Sequence, residues 1–461
     1  MLGNAKHIHF IGIGGIGMSG IAEILVNLGF SVSGSDVQKS PITERLEALG
    51  VKISYRHAKA NVKGADVVVV SSAIRSSNSE LRAAREAGIP VIPRSDMLGE
   101  LMRIRTGVAI AGAHGKTTTT SLAGTVLTEA GLDPTIIVGG KVKNLRTNAR
   151  LGEGEFLVAE VDESDGNFVR LTPTYAIITN IDMEHLDFYG SLEKIFEAFV
   201  LFSSMIPFHG EIICCIDDPH VRSIIPKIER KVVTYGFSGD ADVRARIVKH
   251  SPEGTYFDVI DEGKRAGKLF IPLPGKHNVL NALAVYVLAR DVGVKFASIR
   301  KAMKRFEGVA RRFERKGEAG GILFIDDYGH HPTEIAATLR AARESFNNRI
   351  VVIFQPHRYT RTRDLHEQFS MCFREADLLF LTDIYSAGEN PIDGVSGELI
   401  YRDIIRSGYK AVRYYPDKEQ LKKAVLEEIK KQDVVITLGA GDIWKLGEEI
   451  LQEIREREIE G

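Results

Sequence analysis

A glycine-rich turn followed by a lysine and two threonines carries the strongest chemical signal in the sequence. The turn follows an apolar run at Gly107–Ala111 and begins a helical pattern at Lys116–Ala130. Glycines let backbone N–H groups approach phosphate oxygens, and a helix N-terminus stabilises negative charge. We therefore predict a nucleotide site rather than a tight turn with an exposed lysine, with Lys116 on the terminal phosphates and the Thr117 hydroxyl as a ligand of Mg²⁺. The residues of this loop are Gly112, Ala113, His114, Gly115, Lys116, Thr117 and Thr118.

A second glycine-rich turn lies near the N-terminus and also follows a predicted strand. An acidic residue, Asp36, stands 19 residues after Gly17, at the end of a second predicted strand. On pattern alone this is a dinucleotide fingerprint of the kind that binds NAD. Another interpretation stays open, in which the glycines only let a helix pack closely on a strand. The candidate ligand-binding residues are Gly12, Gly14, Gly15, Gly17 and Asp36.

Two acidic segments follow the first loop, EVDESD (160–165) and NIDMEHLD (180–187), and each comes after an apolar strand. Parallel strands place both segments at the sheet edge where the phosphate loop also lies. Carboxylates there can hold Mg²⁺ that bridges ATP phosphates, whereas a nitrogen ligand suits Mn²⁺ better. The candidate metal ligands are the carboxylates of the two segments and, as a nitrogen donor, His185. The pattern alone equally allows an acidic surface loop in which Asp187 pairs with the histidine.

Polar residues also follow strands in the last third of the chain. The segments are DDYGHHP (326–332) and QPHRYTRTR (355–363), and the second has three arginines within six residues. Guanidinium groups at a strand's carboxyl end suit a carboxylate or a phosphate, although an exposed basic loop is the alternative. Zinc is disfavoured, because adjacent histidines rarely converge on one ion. The residues of interest are Tyr328, His330, Arg358 and Arg361.

Two asparagines one helical turn apart form a further candidate. Asn278 and Asn281 lie in GKHNVLNA (275–282), at the start of an apolar helix. Their amides can hydrogen-bond the edge of a base. An asparagine that caps the helix explains the pattern equally well.

The elements that must position these residues alternate between short apolar runs and longer helical patterns. This alternation predicts an α/β protein with parallel sheets covered by crossover helices. Basic or charged links at Met102–Thr106 and Lys304–Gly317 suggest three domains, over residues 1–105, 106–308 and 309–461. We predict strands at His7–Ile13, Val67–Val70, Gly107–Ala111, Phe156–Val161, Ala176–Thr179, Glu211–Ile216, Ile322–Asp326, Ile350–Phe354 and Val434–Leu438, and helices that include Gly15–Leu28, Lys116–Ala130 and Pro332–Phe346.

Composition excludes several classes of protein. The 461 residues include 60 Lys and Arg against 61 Asp and Glu, so no basic surplus points to nucleic acid or to an anionic membrane as partner. Three cysteines without a C-x-x-C pattern exclude a disulfide scaffold and fit a reducing cytoplasm. No apolar run approaches the length of a membrane span.

Nine segments, in this order, resemble the Mur ligase family over essentially the whole chain. The family resemblance implies a Rossmann-like N-terminal domain for a UDP-sugar, a central ATPase-like domain of the phosphate-loop type, and a Rossmann-like C-terminal domain for an amino acid. The segments are HFIGIGGIGMSG (9–20), GAHGKTTTT (112–120), VGGKVKNLRTNAR (138–150), AEVDESDGNF (159–168), TNIDMEHLD (179–187), GKHNVLNALA (275–284), DDYGHHPTE (326–334), QPHRYTRTRDL (355–365) and LGAGDIW (438–444).

The resemblance also implies a role for each candidate. Residues 12–17 would hold UDP rather than NAD, the 112–118 loop would hold ATP, and Glu160 with His185 would bind Mg²⁺. The two asparagines would face adenine, and the C-terminal tyrosine, histidine and arginines would face the amino acid. Lys116 and Arg358 would stabilise negative charge in the reaction, and His330 is the candidate base.

Within the family, the segments look most similar to the branch that adds L-alanine to UDP-N-acetylmuramate for peptidoglycan synthesis. That branch is also similar in lacking a modified lysine, since the corresponding stretch here is Phe199-Val200-Leu201. Two alternatives stay open: the branch that recycles murein tripeptide, and, in another class, an NAD-dependent dehydrogenase.

Overall fold

The N-terminal part forms a five-stranded parallel sheet. The computed structural model describes residues 5–71, 73–142, 147–164 and 166–460. The segment Val67–Val70 is four valines in a row, the kind of continuous apolar run that is typical of a buried parallel strand. The order of the sheet, β3-β2-β1-β4-β5, is the Rossmann order, so the first sheet has the predicted fold. The elements are β1 His7–Ile11, α1 Ile16–Asn27, β2 Ser31–Ser35, α2 Pro41–Ala48, β3 Lys52–Ser54, β4 Val67–Val70, α3 Ser79–Glu86, β5 Val91–Pro93 and α4 Arg94–Ile104.

The central part is built on a ten-stranded sheet with the order β15-β14-β13-β12-β11-β10-β6-β9-β7-β8. Strand β6 lies between β10 and β9, parallel to both, so the loops that follow these three strands meet at one edge. The strands are β6 Thr106–Ala111, β7 Thr135–Val142, β8 Thr147–Arg150, β9 Phe156–Glu160, β10 Tyr175–Ile178, β11 Glu211–Cys215, β12 Val232–Gly236, β13 Val243–Ser251, β14 Gly254–Asp261 and β15 Lys264–Ile271. The helices are α5 Lys116–Glu129, α6 Leu186–Tyr189, α7 Leu192–Ser204, α8 Pro219–Ile224, α9 Lys276–Asp291 and α10 Phe296–Lys304.

The C-terminal part has a six-stranded sheet with the order β16-β17-β21-β18-β19-β20. Strand β16 is antiparallel to β17, and the remaining neighbours are parallel. The elements are β16 Glu314–Ala319, β17 Ile322–Asp327, α11 Pro332–Ser345, β18 Ile350–Phe354, α12 Tyr359–Cys372, β19 Leu378–Leu381, α13 Gly397–Arg406, β20 Val412–Tyr414, α14 Lys418–Glu428, β21 Val434–Leu438 and α15 Ile443–Glu460.

The predicted α/β class and its parallel sheets are confirmed, and each predicted strand and helix is present within two residues of its predicted ends. The prediction did not include the antiparallel pairs β7–β8 and β16–β17, or the strands β13 to β15. These additions stand at the ends of the sheets. Most residues of β13, β15 and β16 are exposed or half-buried, so these segments lack the continuous apolar run that identifies a buried parallel strand.

Contacts divide the chain into two compact units. The first contains residues 1–246, 257–270 and 279–309, and the second contains residues 247–256, 271–278 and 310–461. One apolar core in the first unit joins the N-terminal sheet to the central sheet, since it includes Phe10 and Ile24 together with Ala109 and Phe168. Among the helices of the described residues, none has the length and apolar composition needed to cross a bilayer.

Candidate active site

The predicted phosphate loop connects β6 to α5, as the sequence indicates. Gly112 and Gly115 have φ of 124° and 81°, a region that favours glycine. A Cβ on Gly115 would lie 2.7 Å from the Asn281 side-chain oxygen, so a larger residue does not fit. The N-terminus of α5 has no side-chain cap, whereas α2, α3 and α7 are each capped by a side chain. The first N–H groups of α5 therefore suit an anionic ligand.

The loop after β10 fixes the phosphate loop. The Asn180 amide accepts a hydrogen bond from the His114 backbone N–H at 2.8 Å and donates to the His114 carbonyl at 3.0 Å. The Thr179 hydroxyl donates to the same carbonyl at 2.7 Å. The imidazole Nε2 of His114 lies 2.8 Å from an oxygen of Asp182. These contacts confirm that two of the polar segments meet at one edge of the sheet.

Lys116 makes a buried ion pair that the sequence analysis did not identify. Its Nζ lies 3.0 Å from each carboxylate oxygen of Glu163 and donates to the carbonyl oxygens of Gly112 and Ala113. Burial by itself would lower the pKa of Lys116, but the neighbouring carboxylates raise it, so the amine is charged. Burial raises the pKa of Glu163 to about 7, against the opposing effect of Lys116. The loop thus holds a fixed cation beside a carboxyl group that titrates near neutral pH.

The acidic residues around this pair supply oxygen atoms of the kind that Mg²⁺ prefers. One oxygen of Glu160 accepts the Thr117 hydroxyl at 3.1 Å, and the other accepts the backbone N–H of Gly139 at 2.8 Å. The ligand atoms of Glu163, Glu184 and His185 lie within 4.8 Å of one another.

His185 thus lies among the acidic residues, as predicted. Its Nε2 is 4.0 Å from a carboxylate oxygen of Glu163 and 3.8 Å from one of Glu184. The side chain of Asp187, the partner in the alternative interpretation, is outside the described residues, as is Asp165.

The N-terminal glycine loop is held by the end of β2. The Ser35 carbonyl accepts the N–H groups of Gly12 and Ile13 at 2.8 and 3.0 Å. The Asp36 carboxylate accepts the N–H of Gly14 at 2.8 Å and also bonds two backbone N–H groups of its own turn. The Asp36 carboxylate therefore stabilises the glycine loop and its own turn through backbone hydrogen bonds. Helix α1 begins next to Gly15 without a side-chain cap.

Arg94 joins this loop to the central sheet, and the sequence analysis did not single it out. A Cβ on Gly17 would overlap the Arg94 guanidinium, so the glycine makes room for the arginine. The guanidinium lies 3.2 Å from a carboxylate oxygen of Asp162, in the segment that follows β9. Burial by itself would raise the pKa of Asp162, but Ser164 and Arg94 lower it.

In the second unit, Tyr328 and His330 follow β17 as predicted. Two guanidinium groups, those of Arg311 and Arg312, lie 5.0 and 5.1 Å from the centre of the Tyr328 ring. The Nδ1 of His330 lies 3.1 Å from the Tyr328 carbonyl, which can only accept, so Nδ1 carries the hydrogen. In the neutral ring the lone pair is then on Nε2, as a base requires. A Glu334 oxygen lies 3.4 Å from the same Nδ1.

Arg358 directly precedes α12, and Arg361 lies in its first turn, beside a histidine that the sequence analysis left unassigned. An Arg361 nitrogen lies 3.2 Å from His357 Nδ1, and the His357 ring stacks on Tyr385 at 5.7 Å. Burial, together with the neighbouring His330, Arg361 and Arg358, lowers the pKa of His357 to about 3. Each unit therefore keeps its own cluster of polar and charged residues after parallel strands.

Two of these residues have a backbone conformation that costs energy. His185 and Arg358 have φ of 58° and 72°, which side chains other than glycine rarely adopt. Such strain is of order 1–3 kcal/mol per residue and is concentrated at functional sites. The sequence carries no sign of it, because nothing in the residue type marks these two positions.

The asparagines of α9 are both nearly buried. Asn278 donates its side-chain amide to the Pro274 carbonyl at 2.7 Å, four residues earlier. Asn281 lies against Gly115 of the phosphate loop. The expected contact with adenine stays a prediction for both.

Known protein families match most of the chain. The Mur ligase family, catalytic domain, matches residues 7–106, the Mur ligase middle domain matches residues 110–289, and the glutamate ligase domain of Mur ligases matches residues 311–441. The chain belongs to the Mur ligase family. This membership does not favour the NAD-dependent dehydrogenase that the N-terminal pattern left open.

Particular relatives are similar over their full length. The UDP-N-acetylmuramate–L-alanine ligase of Geotalea daltonii is 52% identical over 99% of this chain and 100% of its own. That of Geobacter sulfurreducens is 51% identical over 99% of each chain. The crystal structure of the UDP-N-acetylmuramate–alanine ligase of Thermotoga maritima has a TM-score of 0.81 at 31% identity and covers 98% of this chain and 99% of its own.

A murein peptide ligase from Psychrobacter arcticus shares the fold. Its structure has a TM-score of 0.70 at 24% identity and covers 97% of this chain and 98% of its own. The three-domain α/β fold predicted from the sequence is therefore confirmed by two solved structures. The domain boundaries and the roles of the individual site residues stay predictions.

Proposed function

We propose that this chain joins L-alanine to the lactyl carboxylate of UDP-N-acetylmuramate at the expense of ATP, in peptidoglycan precursor synthesis. The observation that carries the proposal is the identity of about half of all residues, over the whole length, with ligases of that name. The polar segments at the sheet edges support it, because the reaction needs a nucleotide cation, acidic metal ligands and an amino acid site. The domains at 1–105, 106–308 and 309–461 would bind the UDP-sugar, ATP and the amino acid.

The first chemical step makes the carboxylate reactive. A carboxylate is a poor electrophile, so a carboxylate oxygen attacks the γ-phosphorus of ATP and the bond to the β-phosphate oxygen breaks, which gives an acyl phosphate and ADP. Enzymes accelerate such a transfer by positioning and by neutralising charge. Lys116 supplies a fixed cation, and the uncapped N-terminus of α5 supplies N–H groups. Lys116 would exchange Glu163 for phosphate oxygens when ATP binds.

The second step forms the amide. The neutral amine of L-alanine attacks the acyl carbon, the nitrogen loses a proton to a base, and the carbon–oxygen bond to phosphate breaks. His330 suits the base because its Nδ1 donates to a carbonyl and its lone pair is on Nε2. Arg361 would hold the alanine carboxylate, and Arg358 would stabilise the negative charge of the tetrahedral intermediate.

Mg²⁺ fits the residues present, since Glu160, Glu163 and Glu184 offer carboxylate oxygens next to Thr117 and His185. When bound, it would neutralise phosphate charge and polarise the γ-phosphoryl group. Without it, the Thr117–Glu160 hydrogen bond and the Lys116–Glu163 pair hold these side chains at the sheet edge.

The decisive experiment measures ADP and phosphate release while each component is omitted in turn. We expect release only when UDP-N-acetylmuramate, L-alanine, ATP and Mg²⁺ are all present, with one ADP per amide formed. Replacing L-alanine with the tripeptide L-Ala-γ-D-Glu-meso-diaminopimelate separates the two branches of the family. Equal or faster turnover with the tripeptide would assign the chain to the recycling branch and contradict the proposal.

A further inference from the structure

A buried glutamate below the N-terminal glycine loop takes part in no step of the proposed reaction. Glu80 is the second residue of α3, and its side chain is fully buried. Both carboxylate oxygens accept hydrogen bonds: Oε2 from the Ser35 hydroxyl at 2.5 Å, and Oε1 from the Ala58 N–H at 3.2 Å and from the Asn61 amide. Burial by itself would raise the pKa of Glu80, but His9, Ser35 and Asn61 hold it at about 2. Glu80 is therefore a buried anion at neutral pH.

Two histidines face this anion from different elements. His9 Nε2 on β1 lies 3.6 Å from Glu80 Oε2, and His57 Nδ1, in the turn after β3, lies 3.4 Å from it. The His9 ring is buried and its Nδ1 lies 2.8 Å from the Ser33 hydroxyl. The His57 side chain is 20% exposed. Of the two rings, His57 is the one that a ligand can reach.

The hydrogen bonds fix the tautomer of His57. Ser35 has a single hydroxyl hydrogen, which it donates to Glu80. His57 Nδ1 lies 3.0 Å from the Ser35 hydroxyl oxygen, so the hydrogen in that contact comes from the imidazole. With Nδ1 protonated, the neutral ring carries its lone pair on Nε2. The charge of Glu80 thus decides, through Ser35, which nitrogen of His57 is an acceptor.

The same serine also holds the glycine loop. Its carbonyl accepts the N–H groups of Gly12 and Ile13, and the next residue, Asp36, accepts the N–H of Gly14. Ser35 therefore connects Glu80 both to the glycine loop, through its carbonyl, and to the partly exposed imidazole of His57, through its hydroxyl. Among the described residues, the polar contacts of the Glu80 carboxylate are with residues of the N-terminal part alone, namely His9, Ser35, His57, Ala58 and Asn61.

We propose that Glu80 is a positioning residue for the UDP-sugar. As a buried anion, it anchors Ser35 beneath the glycine loop and keeps His57 Nε2 an acceptor for an N–H or O–H group of the nucleotide. This inference rests on the proposed function, in which the loop at residues 12–17 binds UDP. Glu80 itself touches no substrate.

Steady-state kinetics of the full chain with the substitution Glu80→Gln tests the proposal. A glutamine has the same shape, but its amide nitrogen must face hydrogen-bond donors on one side or the other, because both Glu80 oxygens accept. We expect the KM for UDP-N-acetylmuramate to rise about tenfold or more, the effect of one lost hydrogen bond to a charged group. The KM values for ATP and L-alanine are expected to stay within about twofold of the parent.

Three further variants make the result specific. Glu80→Asp keeps the charge and should show a smaller rise in the KM for the UDP-sugar. Ser35→Ala removes the hydroxyl that links Glu80 to His57 while leaving the Glu80 carboxylate in place. If Glu80→Gln does not fold, the KM for UDP-N-acetylmuramate in Ser35→Ala tests the proposal instead. Glu86→Gln is the matched control: Glu86 ends the same helix, is 68% exposed and lies 3.9 Å from Lys59, so all three KM values should match the parent.

Two results would overturn the inference. One is a KM for UDP-N-acetylmuramate that stays within about twofold in both Glu80→Gln and Ser35→Ala. The other is a parallel change in all three KM values together with a lower melting temperature, which would make Glu80 a general stabilising residue. If the parent chain itself releases ADP without UDP-N-acetylmuramate, the proposed function fails first, so the two failures are distinguishable.

Discussion

Replacing Lys116 with alanine removes the cation that we place on the terminal phosphates of ATP. In the structure its Nζ bonds both oxygens of Glu163 at 3.0 Å and the carbonyls of Gly112 and Ala113. Loss of one preorganised donor to charge that develops in a transition state costs about 3 kcal/mol. At about 1.4 kcal/mol per factor of ten, this corresponds to a fall in kcat of roughly a hundredfold or more.

The same substitution leaves Glu163 buried without its cation. Breaking a buried ion pair in this way costs about 3–5 kcal/mol if the remaining charge stays ionised. Glu163 avoids most of this cost, because burial already raises its pKa from 4.5 to about 7 and it can take up a proton. A raised carboxyl pKa in the folded state favours folding at low pH, and this contribution is lost as the pH rises through the folded pKa. We therefore expect Lys116→Ala to be folded at pH 6 and clearly less stable at pH 8.

Coupled measurement of ADP release gives the rate, and urea unfolding at pH 6 and pH 8 gives the stability. Lys194→Ala is the control, because Lys194 is an exposed lysine in the first turn of α7. A kcat within about fivefold of the parent in a folded Lys116→Ala protein would refute the role of the cation. Equal losses of unfolding free energy at the two pH values would refute the protonation of Glu163.

Three further predictions concern other parts of the molecule. Glu160→Ala and His185→Ala should each shift the Mg²⁺ dependence of the rate to higher concentration, with partial rescue by Mn²⁺; unchanged curves in both variants would show that neither residue binds the metal. Arg361→Ala should raise the KM for L-alanine, and Arg361→Lys should rescue it poorly, because a point charge cannot replace a bidentate guanidinium; a lower ATP affinity with normal alanine kinetics would assign the arginine to phosphate. Burial and the neighbouring Asp291 raise the pKa of Glu211, so the unfolding free energy of the parent should fall as the pH rises above about 4.5. In Glu211→Gln this fall should be smaller. Identical pH profiles of the two proteins, measured by urea unfolding, would contradict this.

Much of the fold could be predicted because buried parallel strands have an unusually plain sequence pattern. Val67–Val70, Ile350–Phe354 and Val434–Leu438 are strands with the predicted ends. Each is apolar on both faces and is followed by glycine or polar residues, which mark the carboxyl edge. Once the strands are parallel, the segments that follow them must meet at one edge. The contacts of the phosphate loop with Asn180 and Glu163 confirm this geometry.

The partners within the site could not be predicted in the same way. Lys116 and Glu163 are 47 residues apart, and Ser35 and Glu80 are 45 apart. Spacing along the chain gives no information on which of several acids at one edge faces a given cation. The positive φ of Arg358 has no sequence signal either, because tertiary contacts impose it on a residue type that does not favour it.

The most direct test of the central claim follows the oxygen atoms of the lactyl carboxylate. If the carboxylate attacks the γ-phosphorus of ATP and L-alanine then displaces phosphate, one carboxylate oxygen must leave with that phosphate. With UDP-N-acetylmuramate labelled with ¹⁸O in the carboxylate, we expect one ¹⁸O in each phosphate released, together with UDP-N-acetylmuramoyl-L-alanine as the product. Phosphate without the label, formed at the same rate as the amide, would contradict it.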